Sequence, residues 1–473
     1  MLSHPILTQL ARMHPEWAAA IGTLLSHPGR GASHRAGPED DGALAPARLP
    51  RRASLTPSEQ KACFDQASAA ARTVRQAPVI ALAERNDGMT SSAIRDLLKV
   101  ISQLGVISLA GGLPAPEGFP IDALLAACER VLRSPDARTA LQYSPSEGLP
   151  ALRRWVAESL PWPVHEDQVL ITTGSQQALD LVAKALIDKG SVVLVGSPSY
   201  LGAQQVFTTM QAKMVSVACD ADGMLPEDLA AKAAGARFLY LQPNYENPTG
   251  TCMSAERREA IGQVAARLGL VILEDNPYGD LWYRQPPPAP LAAKLPENTI
   301  YTGSFSKILA PGMRLGYLVA PMKLYQTLVK FKQAADLHSA SFNQHVVLEV
   351  LRDGFLDRHL PAIRELYQRK RNAMLAALDR HMRGLGASWN RPSGGMFIWL
   401  RLPEGLSATA LLPRAVEKGV AYVPGTPFFA GDADERALRL SYVTATEAQI
   451  DAGIALLAKV VQEALEALPT EAR

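Results

Sequence analysis

Cysteine is scarce in this chain: four in 473 residues, with Cys63, Cys128, Cys219 and Cys252 forming neither a Cys-x-x-Cys pair nor a regular framework. That spacing gives no basis for a disulfide scaffold, and the thiols read as reduced, cytoplasmic ones. An excess of one charge is also missing. Lys and Arg number 48 against 46 Asp and Glu, too even a balance for nucleic acid or an anionic membrane to be the main partner. No apolar run reaches membrane-spanning length, and no Lys- or Arg-led apolar core with a small-residue cleavage site opens the chain. No internal repeat is found. The expectation is a cytoplasmic protein without a membrane or nucleic-acid partner and without a metal site. What is present, 47% hydrophobic and 20% charged residues, suits a soluble globular protein with a large core and room for two domains.

The chain changes character along its length. Residues 5–25 have helical apolar spacing (Ile6, Leu7, Leu10, Trp17, Ile21, Leu24, Leu25), whereas 27–58 are rich in Pro, Gly, Ala, Ser and Arg and read as linker. From about residue 90 the pattern is regular. Helices are predicted from Ser92 and over 149–160, with a short strand at 106–109. Apolar strands at 168–172, 191–195, 238–242, 271–274 and 299–302 then alternate with amphipathic helices at 175–189, 200–211, 225–234 and 254–268. Such alternation predicts an α/β domain on a largely parallel sheet. A long helix at 361–384, the Gly394–Leu400 segment, a helix at 407–418, a strand at 437–442 and a last helix from 446 read as a smaller α+β domain. The expected divisions are an N-terminal extension (1–85), an arm with a small-domain segment (86–145), a large domain (146–355) and a C-terminal small domain (356–473).

Ligands of parallel sheets bind beyond the carboxyl ends of the strands, and the polar residues gather there. Thr173-Gly174-Ser175-Gln176 enters a helix, where free amides make an anion site, although Gly-Ser is also a common cap. Tyr200, in Ser197-Pro198-Ser199-Tyr200, is placed to stack on a flat ring or simply to pack. Asn247-Pro248-Thr249-Gly250 reads as a turn whose asparagine can donate to a phenolate-like oxygen. In Glu274-Asp275-Asn276-Pro277-Tyr278, a buried Asp275 needs a partner such as a protonated ring nitrogen, or else caps the next turn. Ser304-Phe305-Ser306-Lys307 ends the fifth strand, with Arg314 seven positions on. A lysine there can form a Schiff base with a carbonyl cofactor whose phosphate Arg314 holds. Together these groups match pyridoxal 5'-phosphate, an electron sink that the protein anchors and tunes.

The order of these motifs, with Ile107–Pro114, Leu141–Gly148 and Leu438-Arg439-Leu440-Ser441, resembles the fold-type I pyridoxal-phosphate aminotransferases of class I/II. It is most similar to the kynurenine/alpha-aminoadipate (2-aminoadipate) group. The resemblance runs from about residue 91 to about 465. It implies a large domain on a mostly parallel seven-stranded sheet flanked by helices, plus a smaller α+β C-terminal domain. It implies that Lys307 carries the cofactor, that Asp275 pairs with the ring nitrogen, and that Tyr200 stacks on the ring, these three forming the catalytic set. Asn247 and Tyr278 would hold the ring oxygen, and Ser175, Gln176, Ser304, Ser306 and Arg314 the phosphate. Tyr143 would reach the phosphate in the neighbouring subunit of a homodimer with shared active sites. Arg439 would clamp the substrate α-carboxylate, Gly112 and Asn247 would lie beside the substrate, and Arg95 would meet a distal carboxylate. Gly279 departs from the bulkier residues of relatives and puts that part of the pocket wall in doubt. The implied activity moves an amino group from an L-amino acid to a 2-oxo acid, with 2-oxoglutarate the expected acceptor, by a ping-pong mechanism. A lyase or decarboxylase on the same cofactor and a non-catalytic, ligand-sensing regulator are the alternatives.

Overall fold

A computed structural model describes residues 80–86, 89 and 105–468. Arg95, the expected helix from Ser92 and the 5–25 segment lie outside these. The chain divides into two compact units. Of the first, the described part forms one 3-10 turn, Glu84–Asn86, held by Asn86 N and Nδ2 donating to Ala83 O. The second contains everything that follows.

Its strands are β1 (Ile107–Ser108), β2 (Val169–Thr172), β3 (Val192–Ser197), β4 (Lys213–Asp220), β5 (Gly223–Met224), β6 (Ala236–Leu241), β7 (Val271–Asn276), β8 (Thr299–Ser304) and β9 (Gly316–Val319). After these come β10 (Ser388–Trp389), β11 (Phe397–Arg401), β12 (Val420–Ala421), β13 (Val423–Pro424) and β14 (Ala437–Ser441). The large sheet has the order β2-β9-β8-β7-β6-β3-β4-β5, seven strands extended at one edge by the two-residue hairpin strand β5. Its central strands are apolar nearly throughout because both faces are covered by helices; all six residues of β8 are buried. At the β4 edge burial is patchier and Lys213 is exposed.

One antiparallel strand shapes the site. The chain leaves β8, turns through Lys307 and Arg314, and returns as β9 between β8 and β2. Gly316 is thereby paired with both Ser304 and Thr172. A Cβ on Gly316 would sit 2.8 Å from Ser175 N and 2.9 Å from Gly303 O, so only glycine lets the three segments meet this closely.

The smaller sheet, β10-β11-β14-β13, is antiparallel, and β1 pairs with β12 in parallel beside it. The helix Phe355–His381 and the last helix, Glu447–Glu466, pack with this sheet into one apolar cluster. Three further buried clusters lie around the large sheet. A capping box between Thr446 and Gln449 starts the last helix.

The expected fold class, a large α/β sheet plus a small α+β domain, is the one observed. Several elements escaped the sequence pattern: β4, β5, β9 and the helices Ile121–Arg133, Met322–Asp336 and Ser341–Leu351. β9 is four residues long, too short for periodicity to speak. Ile121–Arg133 is amphipathic, but Ile121, Leu125 and Leu132 are exposed. Pro361 does not open the long helix, which begins at Phe355 after the left-handed Gly354. Among the described residues no helix is long and apolar enough to cross a membrane.

Candidate active site

Lys307 lies on the turn between β8 and β9, its amine 3.3 Å from Gly112 O and 6.0 Å from the Tyr278 ring centroid. Desolvation, with the added charges of Arg439 and Arg314, pulls the amine down to about 8. No carboxylate among the described residues pairs with Lys307, Arg314 or Arg439. Three cations thus share a region without a protein counter-ion.

Asp275, at the end of β7, is fully enclosed and accepts from Tyr240 Oη (2.9 Å), Gln242 Nε2 (2.7 Å) and Thr302 Oγ1 (2.6 Å). Burial raises its pKa, with these three bonds working against the rise. All three donors are neutral, so the carboxylate is ordered and has no cation beside it. The sequence reading found Asp275 and missed its holders. Tyr240 lies on β6 and Gln242, two positions on, just beyond its end, while Thr302 is directly opposite Asp275 in the β7–β8 register. That period-two spacing was the available signal.

Arg439 occupies the middle of the small sheet, opposite Trp399 on β11 and Val423 on β13. It is 2% exposed. Its guanidinium donates to Asn247 Oδ1 (2.7 Å) and Ala110 O (2.8 Å). The guanidinium carbon is 4.4 Å from the Phe397 ring centroid and 5.3 Å from that of Phe428. Burial, chiefly, lowers its pKa to about 10, and Nε is buried without a partner. Tyr278 is buried also. Its phenol is pushed up by burial first, against the charge of Arg439 and a hydrogen bond with Asn247. Asn247 therefore links Arg439 to Tyr278. Gly112 adjoins both cations: its carbonyl accepts from Lys307, and a Cβ there would be 3.9 Å from Arg439 Nη2.

The β2 turn is a candidate anion cradle. Gly174 takes a left-handed φ of 81° and offers the helix Ser175–Leu186 no side-chain cap, so the first helical amides, those of Ser175 and Gln176, are available. Arg314, itself left-handed at φ 51°, donates to Thr173 O at 3.3 Å. A Cβ on Gly174 would be 3.0 Å from Arg314 Nη2. Ser304 Oγ accepts from Ser306 N (3.2 Å) at the neighbouring strand end. Gln176 uses its side chain inside the protein, donating to Gly202 O (2.8 Å) and accepting from Tyr200 Oη (3.3 Å). Its contribution to the cradle is the backbone N–H. Tyr200 is the N-cap of the helix Leu201–Thr209, its carbonyl accepting from Ala203 N and Gln204 N, and its hydroxyl is held by Gln176.

Tyr143 stands apart, 78% exposed, with its ring edge-on to His338 at 5.7 Å. Arg95 is outside the described residues. The Gly279 departure has a local cause: a Cβ there would meet Asn276 Oδ1 at 2.5 Å, and Asn276 is engaged by Asn244 and Tyr301.

An ordered carboxylate without a cation, a glycine turn with free amides beside Arg314, a low-pKa lysine and a buried arginine fit a ligand with a protonated ring nitrogen, a phosphate and a carbonyl. Pyridoxal 5'-phosphate bound to an amino acid has this charge pattern. The model of the aminotransferase class I and II family matches residues 106–457, and this chain belongs to that family. It is a pyridoxal-phosphate-dependent aminotransferase of fold-type I. It is 44% identical over 388 residues to 2-aminoadipate transaminase of Thermus thermophilus, covering 79% of this chain and 94% of the relative. Aromatic-amino-acid aminotransferase 1 of Thermococcus litoralis is 39% identical over 395 residues, 81% of this chain and 94% of the relative. Among solved structures, an alpha-aminoadipate aminotransferase from Thermus thermophilus complexed with N-(5'-phosphopyridoxyl)-L-leucine has a TM-score of 0.77 and 42% identity, over 82% of this chain and 98% of that one.

A lowered lysine pKa means that the neutral, nucleophilic amine accumulates above pH about 8 rather than above about 10.4, the free value. In cofactor-stripped protein, the rate at which added pyridoxal 5'-phosphate couples to the chain is expected to rise through about pH 8 and level off. A rise continuing past pH ~10, as for a free lysine, would contradict the assigned environment.

Proposed function

We propose that this aminotransferase takes the amino group of an L-amino acid and passes it to 2-oxoglutarate in two half-reactions at one site, a ping-pong scheme. The observation that carries this reading is Arg439, the buried guanidinium bound to Asn247 and Ala110 and lying beside the Lys307 amine through Gly112. A single carboxylate clamp next to a single movable amine can serve donor and acceptor only in turn. Both substrates carry an α-carboxylate, which a guanidinium binds with directional hydrogen bonds.

When bound, pyridoxal 5'-phosphate supplies a carbonyl carbon and an electron-withdrawing ring. In the reading offered here, Ser175, Gln176, Ser304, Ser306 and Arg314 hold its phosphate. Asp275 Oδ keeps a ring N–H in place, and Asn247 and Tyr278 hold the ring oxygen. Tyr200 lies against the ring, and Lys307 Nζ takes the proton from the donor Cα and returns it later. The depressed pKa of Lys307 suits that shuttle, since a base works best near the operating pH. Donors of the 2-aminoadipate and aromatic classes are proposed from the names of the relatives.

Homodimer formation is part of the proposal. Tyr143 and, on the helix Ile121–Arg133, Ile121, Leu125 and Leu132 are exposed large side chains that a second copy would cover. In the dimer Tyr143 would serve the partner's site. Light scattering that finds only monomers at micromolar concentration would contradict this part.

Steady-state kinetics with a panel of donors and 2-oxoglutarate test the reading. Parallel double-reciprocal lines and glutamate formation are expected. Arg439→Ala is expected to raise KM about a hundredfold for donor and acceptor alike, since the clamp of a charged group is lost. Release of ammonia with a 2-oxo acid in the absence of glutamate would indicate elimination chemistry instead. Binding of the cofactor with no turnover of any donor would favour a sensor role.

A further inference from the structure

Against Thr173 and Gln177 lies a charged cluster that none of the roles above uses. Lys332, in the helix Met322–Asp336, is fully buried. Its amine donates to Asp336 Oδ1 (2.6 Å) and Ser339 Oγ (3.0 Å). The other carboxylate oxygen, Asp336 Oδ2, accepts from Thr173 Oγ1 (2.9 Å) and Gln177 Nε2 (2.8 Å). Gln177 Oε1 in turn accepts from Thr173 N (2.8 Å), and Ser339 Oγ is 3.1 Å from Thr173 Oγ1. Thr173 is therefore held at its amide and its hydroxyl by this cluster and at its carbonyl by Arg314.

We propose that Asp336, supported by Lys332, is a positioning residue that fixes Thr173 and so the anion-binding turn Thr173–Gln176. The proposal rests on the reading above that this turn holds the cofactor phosphate. A fully buried ammonium is expensive unless a partner meets it, and Asp336, whose side chain is 31% exposed, does so from the rim. Its Oδ1 meets Lys332, and its Oδ2 accepts from both Thr173 and Gln177, the residues that bracket Gly174. Lys332 also offsets the carboxylate charge, so Asp336 orders the turn without presenting a lone negative charge to a phosphate. The chain around it is bent to this end. Leu337 follows Asp336 at φ 63° and ψ −61°, a strained conformation for a residue other than glycine. It ends the helix so that Asp336 and Ser339 both reach Thr173. Ser339 is tied back by Gln344, whose Nε2 donates to Ser339 O at 2.8 Å.

The test compares two ligands that differ only in the phosphate. Full-length wild type, Thr173→Val, Asp336→Asn and Arg314→Ala chains are stripped of cofactor and titrated with pyridoxal 5'-phosphate and with pyridoxal, following absorbance of the bound form. Thr173→Val keeps the Lys332–Asp336 ion pair and the shape of the site, so it reads the link even where Asp336→Asn does not fold. Both variants are expected to bind pyridoxal 5'-phosphate about five- to tenfold more weakly, the size of one lost hydrogen bond to a charged or ordered partner, with pyridoxal affinity unchanged. Equal weakening for both ligands would mean a purely structural role and would overturn the proposal, as would no weakening for either. The Arg314→Ala arm separates the two readings. Should Arg314→Ala keep the full preference for the phosphorylated ligand, the phosphate assignment itself fails and the positioning role with it. Should Arg314→Ala lose that preference while Thr173→Val and Asp336→Asn keep it, only the positioning role fails.

Discussion

Among the described residues no carboxylate pairs with Lys307, Arg314 or Arg439, while the ordered acid Asp275 has only neutral donors around it. Arg314 is exposed, but Arg439 is buried and Lys307 is desolvated, and charges left in that state are costly in a folded chain. They are tolerated where a ligand completes them, and the signs prescribe that ligand: anionic at Arg314 and Arg439, cationic at Asp275, electrophilic at Lys307. The lysine is kept reactive by the same imbalance, because the two guanidinium charges and desolvation both disfavour its protonated form.

Topology gathers these groups. β9 returns between β8 and β2, and the pairing of Gly316 with Thr172 and Ser304 brings Arg314 to the turn after β2. Arg439 comes from the other sheet and is joined to the large domain by Asn247 and to the segment after β1 by Ala110. Gly112, two residues on, completes the link to Lys307. Movement of the small sheet against the large one would therefore change the clamp and the amine together.

Much of the site was legible because its residues stand at strand ends within short motifs: Gly174-Ser175, Asn247, Asp275, Lys307. Local sequence also gave the apolar central strands and most of the helices of the α/β domain. What escaped depends on pairing across long separations. The holders of Asp275 come from neighbouring strands in register, and the grip of Asn247 on Arg439 spans 192 positions. Gln176 is an instructive case. It was expected at the phosphate, and its side-chain amide is engaged by Gly202 and Tyr200, so its backbone N–H is the group left to face an anion. The Lys332–Asp336 pair looks like an ordinary i,i+4 surface pair in sequence. Only the packed helix reveals that Lys332 is enclosed and that Asp336 is turned towards Thr173.

The central claim is that Lys307 is the amine on which this charge pattern converges. Borohydride reduction of the cofactor-loaded protein, followed by proteolysis and mass spectrometry of the peptides, tests it directly. The pyridoxyl label is expected on the peptide containing Lys307 and to be absent from every other lysine. A label fixed on a different lysine in the wild-type chain would contradict the assignment of the site.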